Sequence, residues 1–376
     1  MARRDDLRAA ARAGRIRVST YAKLADLPLE VEGYSLEALE RAVSSGFDRL
    51  STVIHLHGCG EEGVGEDVVY DALDHIALQD AGATQPLGGS WALGELCDHV
   101  DRLDLFPAEP VRGEVSRLYR RWAFHSAALD LALRQGGRPL HAVLDLEPRP
   151  VSFVVSLRLG EPPTLETLTR RLERYPNLRF KLDATSSWDD ELIAALVETG
   201  AVDSVDFKGF YKGTVVDAPA DPGLYRRVAE AFPDAWLEDP DLEAEGTAEA
   251  LQPYRERITW DAPIHSVADI EARPFAPRMV NVKPSRLGRL EELCAAYDYL
   301  AEHGMRAYGG GQFELGPGRG QAQYLASLFH PETPNDIAPG GYNDPEPEPG
   351  LPESPLPPTP SATGFRWEDP VAGAGA

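Results

Sequence analysis

From residue 151 onward the chain repeats one pattern: a short apolar run, then a stretch with apolar residues at helical spacing. The runs are VSFVVSL (151–157), LRFKLDA (178–184), VDSVDFKG (202–209), AWLEDP (235–240), ITWDAP (258–263), RMVNVKP (278–284), MRAYGGG (305–311) and DIAPGG (336–341). Between them lie segments such as TLETLTRRLERY, DDELIAALVETG, LYRRVAEAF and RLEELCAAYDYLAEHG. Such alternation predicts parallel strands joined by helical crossovers. A doubly wound sheet alternates likewise, but eight repeats of this size favour a barrel. The run at 336–341 is the weakest of the eight.

The first 150 residues read differently. Residues 51–58 (STVIHLHG) and 64–70 (VGEDVVY) predict short strands around the turn CGEEG, and 117–135 predicts a helix stopped by GGRP. The expected organisation is therefore an α+β domain over 1–150 whose first 15 or so residues are disordered, a barrel over 151–343, and a Pro-rich segment over 344–376. That last segment is either a disordered tail or an extended strap returning Phe365 and Trp367 to the body, and Trp367 favours the strap.

Composition narrows the function classes. A net charge of −24 argues against nucleic acid or an anionic membrane as partner. Cys59, Cys97 and Cys294 stand in no metal or CxxC spacing and predict free thiols in a reducing compartment. No apolar run is long enough to span a bilayer, and the basic N-terminus has no apolar stretch behind it. A cytoplasmic enzyme acting on a small molecule is the expectation.

Barrel enzymes carry their chemistry at the C-terminal ends of the strands. The last polar residues of five consecutive strands are Lys181, Asp206, Glu238, Asp261 and Lys283. Three converging carboxylates repel unless a cation lies among them, and oxygen donors without His or Cys select Mg²⁺. Lysines on either side can move protons once burial and a neighbouring divalent ion lower their pKa.

These residues resemble the enolase superfamily, in particular the muconate lactonizing enzyme subgroup. Trp236-Leu-Glu-Asp-Pro240 is similar to its E-Q-P strand, and Val280-Asn-Val-Lys-Pro-Ser-Arg-Leu-Gly288 to its lysine strand. Gly310-Gly-Gln-Phe-Glu-Leu-Gly-Pro-Gly-Arg319 resembles its seventh-strand segment, Val64-Gly-Glu66 its cap turn, and Ala127-Ala-Leu-Asp-Leu-Ala132 the helix entering the barrel. The resemblance implies an α+β capping domain before a TIM-like, modified (β/α)₇β barrel, with Mg²⁺ on Asp206, Glu238 and Asp261. It implies Lys181 and Lys283 as acid and base in removing a proton α to a carboxylate through an enediolate. The outcome would be racemisation, epimerisation or syn-elimination, as in the o-succinylbenzoate synthases and N-succinylamino acid racemases. A muconate-type cycloisomerase and a non-catalytic enolase-like binding protein are the alternatives. A homo-oligomer, dimer or octamer, is further implied.

The chain also departs from that pattern. Arg179 stands where a first lysine is usual, and is a substrate-binding candidate with Gln312 and Glu314. Asp183, in D-A-T-S-S-W, is an alternative third-strand ligand; were it the ligand, the strand at 202–209 would be an insertion. Lys208 takes a position commonly held by Asn and could weaken the metal or act in catalysis. Asp261-Ala-Pro lacks a neighbouring acid. Glu66 reads as a cap surface residue, and His55 and His57 as structural histidines.

Overall fold

A computed structural model of the chain describes residues 19–43, 48–106, 113–214 and 216–368. The leading residues expected to be disordered lie outside these. Among the described residues no helix is long and apolar enough to cross a membrane.

The N-terminal domain is a three-stranded antiparallel meander backed by helices. The strands β1 (Pro28–Val31), β2 (Gly33–Ala42), β3 (Asp48–Gly58), β4 (Glu61–Asp67) and β5 (Gly89–Ala92) arrange as a β2–β3–β4 sheet and a small β1–β5 ribbon. Helices α1 (Ala72–Ala81), α2 (Leu93–Asp101) and α3 (Glu114–Gln135) follow. The β2 strand, which apolar periodicity does not reveal, pairs with β3 along its whole length. Its outer residues are exposed, so its sequence GYSLEALERA lacks a clean apolar alternation. Helix α3 lies directly on β4. A Cβ at Gly63 or Gly65 would come within 2.2 or 2.0 Å of α3 carbonyl oxygens, so only glycine allows this approach.

The second domain supplies β6 (Val155–Leu157), β7 (Phe180–Asp183), β8 (Val202–Asp206), β9 (Trp236–Glu238), β10 (Ile258–Thr259), β11 (Met279–Val282) and β12 (Arg306–Gly309). Strands β6 to β10 form one parallel sheet in sequence order, and β11 pairs in parallel with β12. The two sheets meet where Asn281 N–H donates to Trp260 O at 2.9 Å and Thr259 Oγ1 to Met279 O at 2.7 Å. Side-chain caps restart the intervening helices: Asp189 accepts from Leu192 N–H, Asp221 from Gly223 and Leu224, and Ser266 from Asp269.

The expected eighth strand shrinks to two residues. Asn335 O accepts from Val154 N–H, and Asp336 exchanges bonds with Gly309 and Gly311. The Asn335 side chain continues the closure, accepting from Gly309 N–H at 2.6 Å and donating to Ser152 O at 2.9 Å. Residues 340–343 form a 3₁₀ turn, not strand. The enolase-type architecture of cap and TIM-like barrel is thus present, with its last strand reduced to a clasp.

Beyond the barrel the chain runs back along the molecule. Leu356 exchanges backbone bonds with Val151. Phe365 is fully buried, edge-on to Trp122 of α3 and tilted against Tyr324. Asp130 of α3 accepts from Val64 and Phe365 N–H and from Arg366 Nε, so one carboxylate joins cap sheet, helix and strap. Phe365→Ala should lower stability by about 3–5 kcal/mol, read as a lower urea midpoint with unchanged slope. An unmoved midpoint would show that the strap adds nothing to the core.

Candidate active site

The C-terminal ends of the parallel strands converge on a buried set of charges. Lys181, on the second barrel strand β7, donates from Nζ to Glu238 Oε1 on the fourth strand, β9. Asp206, ending the third strand β8, and Asp336 of the clasp each lie 3.4 Å from the same nitrogen. Tyr308 donates its hydroxyl to the other Glu238 oxygen. Lys208, just past β8, reaches Asp206 at 2.5 Å and Asp183 at 3.1 Å. Across the barrel Lys283, directly after β11, donates to Asp261 Oδ2 at 2.8 Å, and Arg286 donates to Oδ1 at 2.6 Å. A Cβ on Gly310 would sit 2.3 Å from Lys283 Cε, so glycine there leaves that lysine its room.

Lys181, Lys208, Lys283, Asp183, Asp206, Glu238 and Asp261 therefore meet at one mouth. Asp183 ends the second strand and β8 is a paired member of the sheet, so the 202–209 run is no insertion. The tightest carboxylate group is not the expected one. Oxygens of Asp206, Glu238 and Asp239 lie within 4.8 Å of one another, while both Asp261 oxygens are engaged by Lys283 and Arg286. Asp239 has a positive φ of 49° and accepts from the N–H groups of Asp261 and Ala262, each at 2.8 Å. It occupies the middle position of the string that resembles E-Q-P, and is not among the expected ligands.

Arg179 belongs elsewhere. It pairs with Asp203 and Gly200 O at the opposite end of β7 and is 41% exposed. Its partner Asp203 is the unpaired residue of β8 where the register shifts beside Phe180 and Lys181, so Arg179 and Lys181 have separate acidic partners.

Charge is not balanced in this mouth. Six carboxylates (Asp183, Asp206, Glu238, Asp239, Asp261, Asp336) face four cations (Lys181, Lys208, Lys283, Arg286), leaving two negative charges over. Burial, with Asp206, Asp261 and Asp239 adding to it, lifts Glu238 well above the usual carboxylate range despite Lys181. Burial and then Asp261 and Asp206 raise Asp239 to about 7. Burial also raises Asp183, against the pull of Lys208. Asp206 is held down to about 2, because Lys208 and Lys181 outweigh its burial. The lysines part ways. Glu238, Asp206 and Asp336 outweigh burial and hold Lys181 well above the ordinary range, whereas burial, aided by Arg286 and Lys181, lowers Lys283 against Asp261.

Two family profiles cover nearly all of this architecture: the domain of unknown function (DUF8230) N-terminal domain over residues 22–143 and its C-terminal domain over 147–344. The chain belongs to the DUF8230 family. Its fold is that of the enolase superfamily. An N-succinylamino acid racemase of Amycolatopsis is 32% identical over 227 residues, 57% of this chain and 59% of that protein. An o-succinylbenzoate synthase of Geobacillus stearothermophilus is 29% identical over 226 residues, 57% of this chain and 58% of that protein. The alignments thus span less than two thirds of these curated relatives. A solved dipeptide epimerase from Methylococcus capsulatus, complexed with Mg ion, superposes with a TM-score of 0.62 at 19% identity, covering 84% of this chain and 91% of that one.

In this DUF8230 chain two buried charged residues of the cap hold the loop after β12. Glu66 is fully buried, contrary to its surface reading. It accepts from Ser51 Oγ and from the N–H groups of Leu315, Gly316 and Gly318, between 2.6 and 3.0 Å. Arg49 is equally buried and donates to the carbonyls of Val68 and Val69 in the cap and of Gln312 and Phe313 in the barrel loop. Gln312 and Glu314, the substrate-binding candidates, stand in that loop with internal partners. Gln312 bonds Tyr70 and Tyr119, while Glu314 accepts from Gln312 N–H and pairs with Arg319. His55 lies between Glu37 and Glu62 and His57 bonds Ser35, further along the sheet face that carries Glu66. The Val64-Gly-Glu66 string marks Glu66 only as part of a cap turn and nothing local marks Arg49, because the loop partners of both lie roughly 250 positions away. Glu66→Ala should speed amide exchange at Leu315, Gly316 and Gly318 by about tenfold or more, since bonds to a buried carboxylate are lost. Exchange at the wild-type rate would show that barrel contacts alone hold the loop.

Proposed function

We propose that the chain is a Mg²⁺-dependent isomerase or lyase that removes the proton next to a carboxylate on a small-molecule substrate. One observation carries this reading: buried ammonium groups on the second and sixth barrel strands flank carboxylates on the strands between them. The donor set supports a hard divalent ion. It is all oxygen, without His or Cys, and has two negative charges more than its own lysines and arginine neutralise. Asp206 and Glu238 would hold the ion, with the third carboxylate from Asp261 or from Asp239. When bound, it would balance the substrate carboxylate and the further negative charge that grows as the proton leaves.

The chain's own groups do the rest. Lys181 and Lys283 face a substrate held between them from opposite sides, so each is placed to take a proton from, or return it to, one face of the α-carbon. This symmetry suits racemisation or epimerisation, in keeping with the racemase and epimerase among the relatives. The o-succinylbenzoate synthase relative supports elimination as the second reading, with Lys181 as base and Lys283 stabilising charge. The cap loop held by Glu66 and Arg49 would exclude water and strengthen each of these interactions.

Two measurements test this reading. Asp206→Ala and Glu238→Ala should each abolish Mg²⁺ binding in calorimetry. Of Asp261→Ala and Asp239→Ala, the one that also abolishes it names the third ligand; retention in all four would overturn the metal site. In D₂O, N-acylated amino acid enantiomers followed by NMR should exchange their α-hydrogen with wild-type protein. For racemisation, Lys181→Ala and Lys283→Ala should each lose exchange from the opposite enantiomer by about 10²–10⁴-fold. Loss from both enantiomers in one variant only would point to elimination chemistry, and exchange unaffected in both would remove the lysines from the mechanism.

A further inference from the structure

Lys208 is the lysine in this mouth that the proposed proton transfer does not use. Its Nζ lies 2.5 Å from Asp206 Oδ2, its own N–H donates to Asp206 Oδ1 at 2.9 Å, and Tyr211 places its ring 5.3 Å from the ammonium. The backbone turns at Lys208 through a positive φ of 54°, a conformation that asparagine and glycine adopt more easily than lysine. Lysine is therefore not there for the turn; its head group must account for it. On the other side of the ammonium stands Asp183, 3.1 Å away. Asp183 Oδ1 is buried and accepts no hydrogen bond from the described residues, so the lysine is within ion-pair range but badly aligned to it. Asp206 is fully buried while the Asp183 side chain is 14% exposed, so a move from the first to the second carries the ammonium outward.

We propose that Lys208 is a tethered counter-ion with two stations, occupying Asp206 while the mouth holds no divalent ion and moving to Asp183 when one binds. This rests on the metal reading above and adds a regulatory property to it. The lysine keeps Asp206 neutralised before the ion arrives, and the ion must displace it to gain that oxygen. Affinity for Mg²⁺ is thereby lowered, and binding is coupled to a side-chain movement at the rim of the site. Asp183 is a positioning residue, the receiving station that makes displacement cheap. Without it the ammonium would have to leave for water or stay.

The test is a double-mutant cycle in the full-length protein, with Mg²⁺ titrated by calorimetry and Mn²⁺ by loss of the free-ion EPR signal. Lys208→Asn should tighten binding about tenfold or more, because a positive charge a few ångströms from the ligand oxygens is removed. Asp183→Asn should weaken binding several-fold in the wild-type background. In the Lys208→Asn background that penalty should largely vanish, since no ammonium then needs a station. An equal penalty in both backgrounds would make Asp183 a simple negative charge and overturn the two-station arrangement. Binding unchanged or weakened by Lys208→Asn would overturn the counter-ion role, and leaves the metal site standing if Asp206→Ala still abolishes it. No binding by wild type or any variant would overturn both. Thermal melting gives a second readout: in EDTA Lys208→Asn should melt below wild type, and saturating Mg²⁺ should raise it by the larger increment. Lys208→Gln, which keeps the stem, replaces Asn if that variant does not fold, with the same outcomes expected.

Discussion

The structure is organised around a buried surplus of negative charge. Each ionised carboxylate taken from water costs several kcal/mol unless cations or hydrogen bonds answer it. Here six meet within one barrel mouth and only four cations stand among them, the difference being met by hydrogen bonds from neutral groups such as Tyr308 and the N–H groups of Asp261 and Ala262. Strand order places the cations. Lys181 comes from the second strand, Lys208 from the end of the third, Lys283 and Arg286 from the end of the sixth. The remaining imbalance falls on Glu238 and Asp239, whose carboxyls are held high. A fold this large could easily have placed apolar residues at these positions. Retaining the surplus is a functional cost, since an apolar mouth of the same shape would be the more stable one.

The cap matters because that imbalance is sensitive to water. Glu66 and Arg49 connect the antiparallel sheet to the loop after β12, and each does so through backbone groups of the partner. Backbone contacts fix where the loop runs while leaving its side chains free to vary. Arg49 is notable in having, among the described residues, four carbonyl oxygens and no carboxylate as hydrogen-bond acceptors. Its charge therefore orders both domains without cancelling any of the negative charge in the mouth.

How far the sequence discloses this depends on the range of each interaction. Seven barrel strands are legible because each is a contiguous apolar run. Their terminal Lys, Asp and Glu are legible because a charge ending such a run stands out. The eighth shows only as a weak run beginning at Asp336, since two residues and the Asn335 side chain do its hydrogen bonding. Asp239 escapes because adjacent acids after a strand look like one strand-end residue and a bystander; a tight turn brings both to the mouth. Arg179 misleads in the opposite way, since period-two alternation puts it beside Lys181 while Asp203, the unpaired residue at the β8 register shift, draws its guanidinium away. Glu66 and Asp130 owe their importance to residues hundreds of positions away, which no local window contains.

Phe365 completes a hollow bounded by Trp122 and Tyr324, yet it comes after every other buried side chain of the core in chain order. During synthesis, cap and barrel are already made while that hollow still exposes aromatic surface and Asp130 lacks two of its partners. The nascent protein therefore passes through a stage in which both domains exist but neither is sealed. Such a stage is a natural substrate for chaperones.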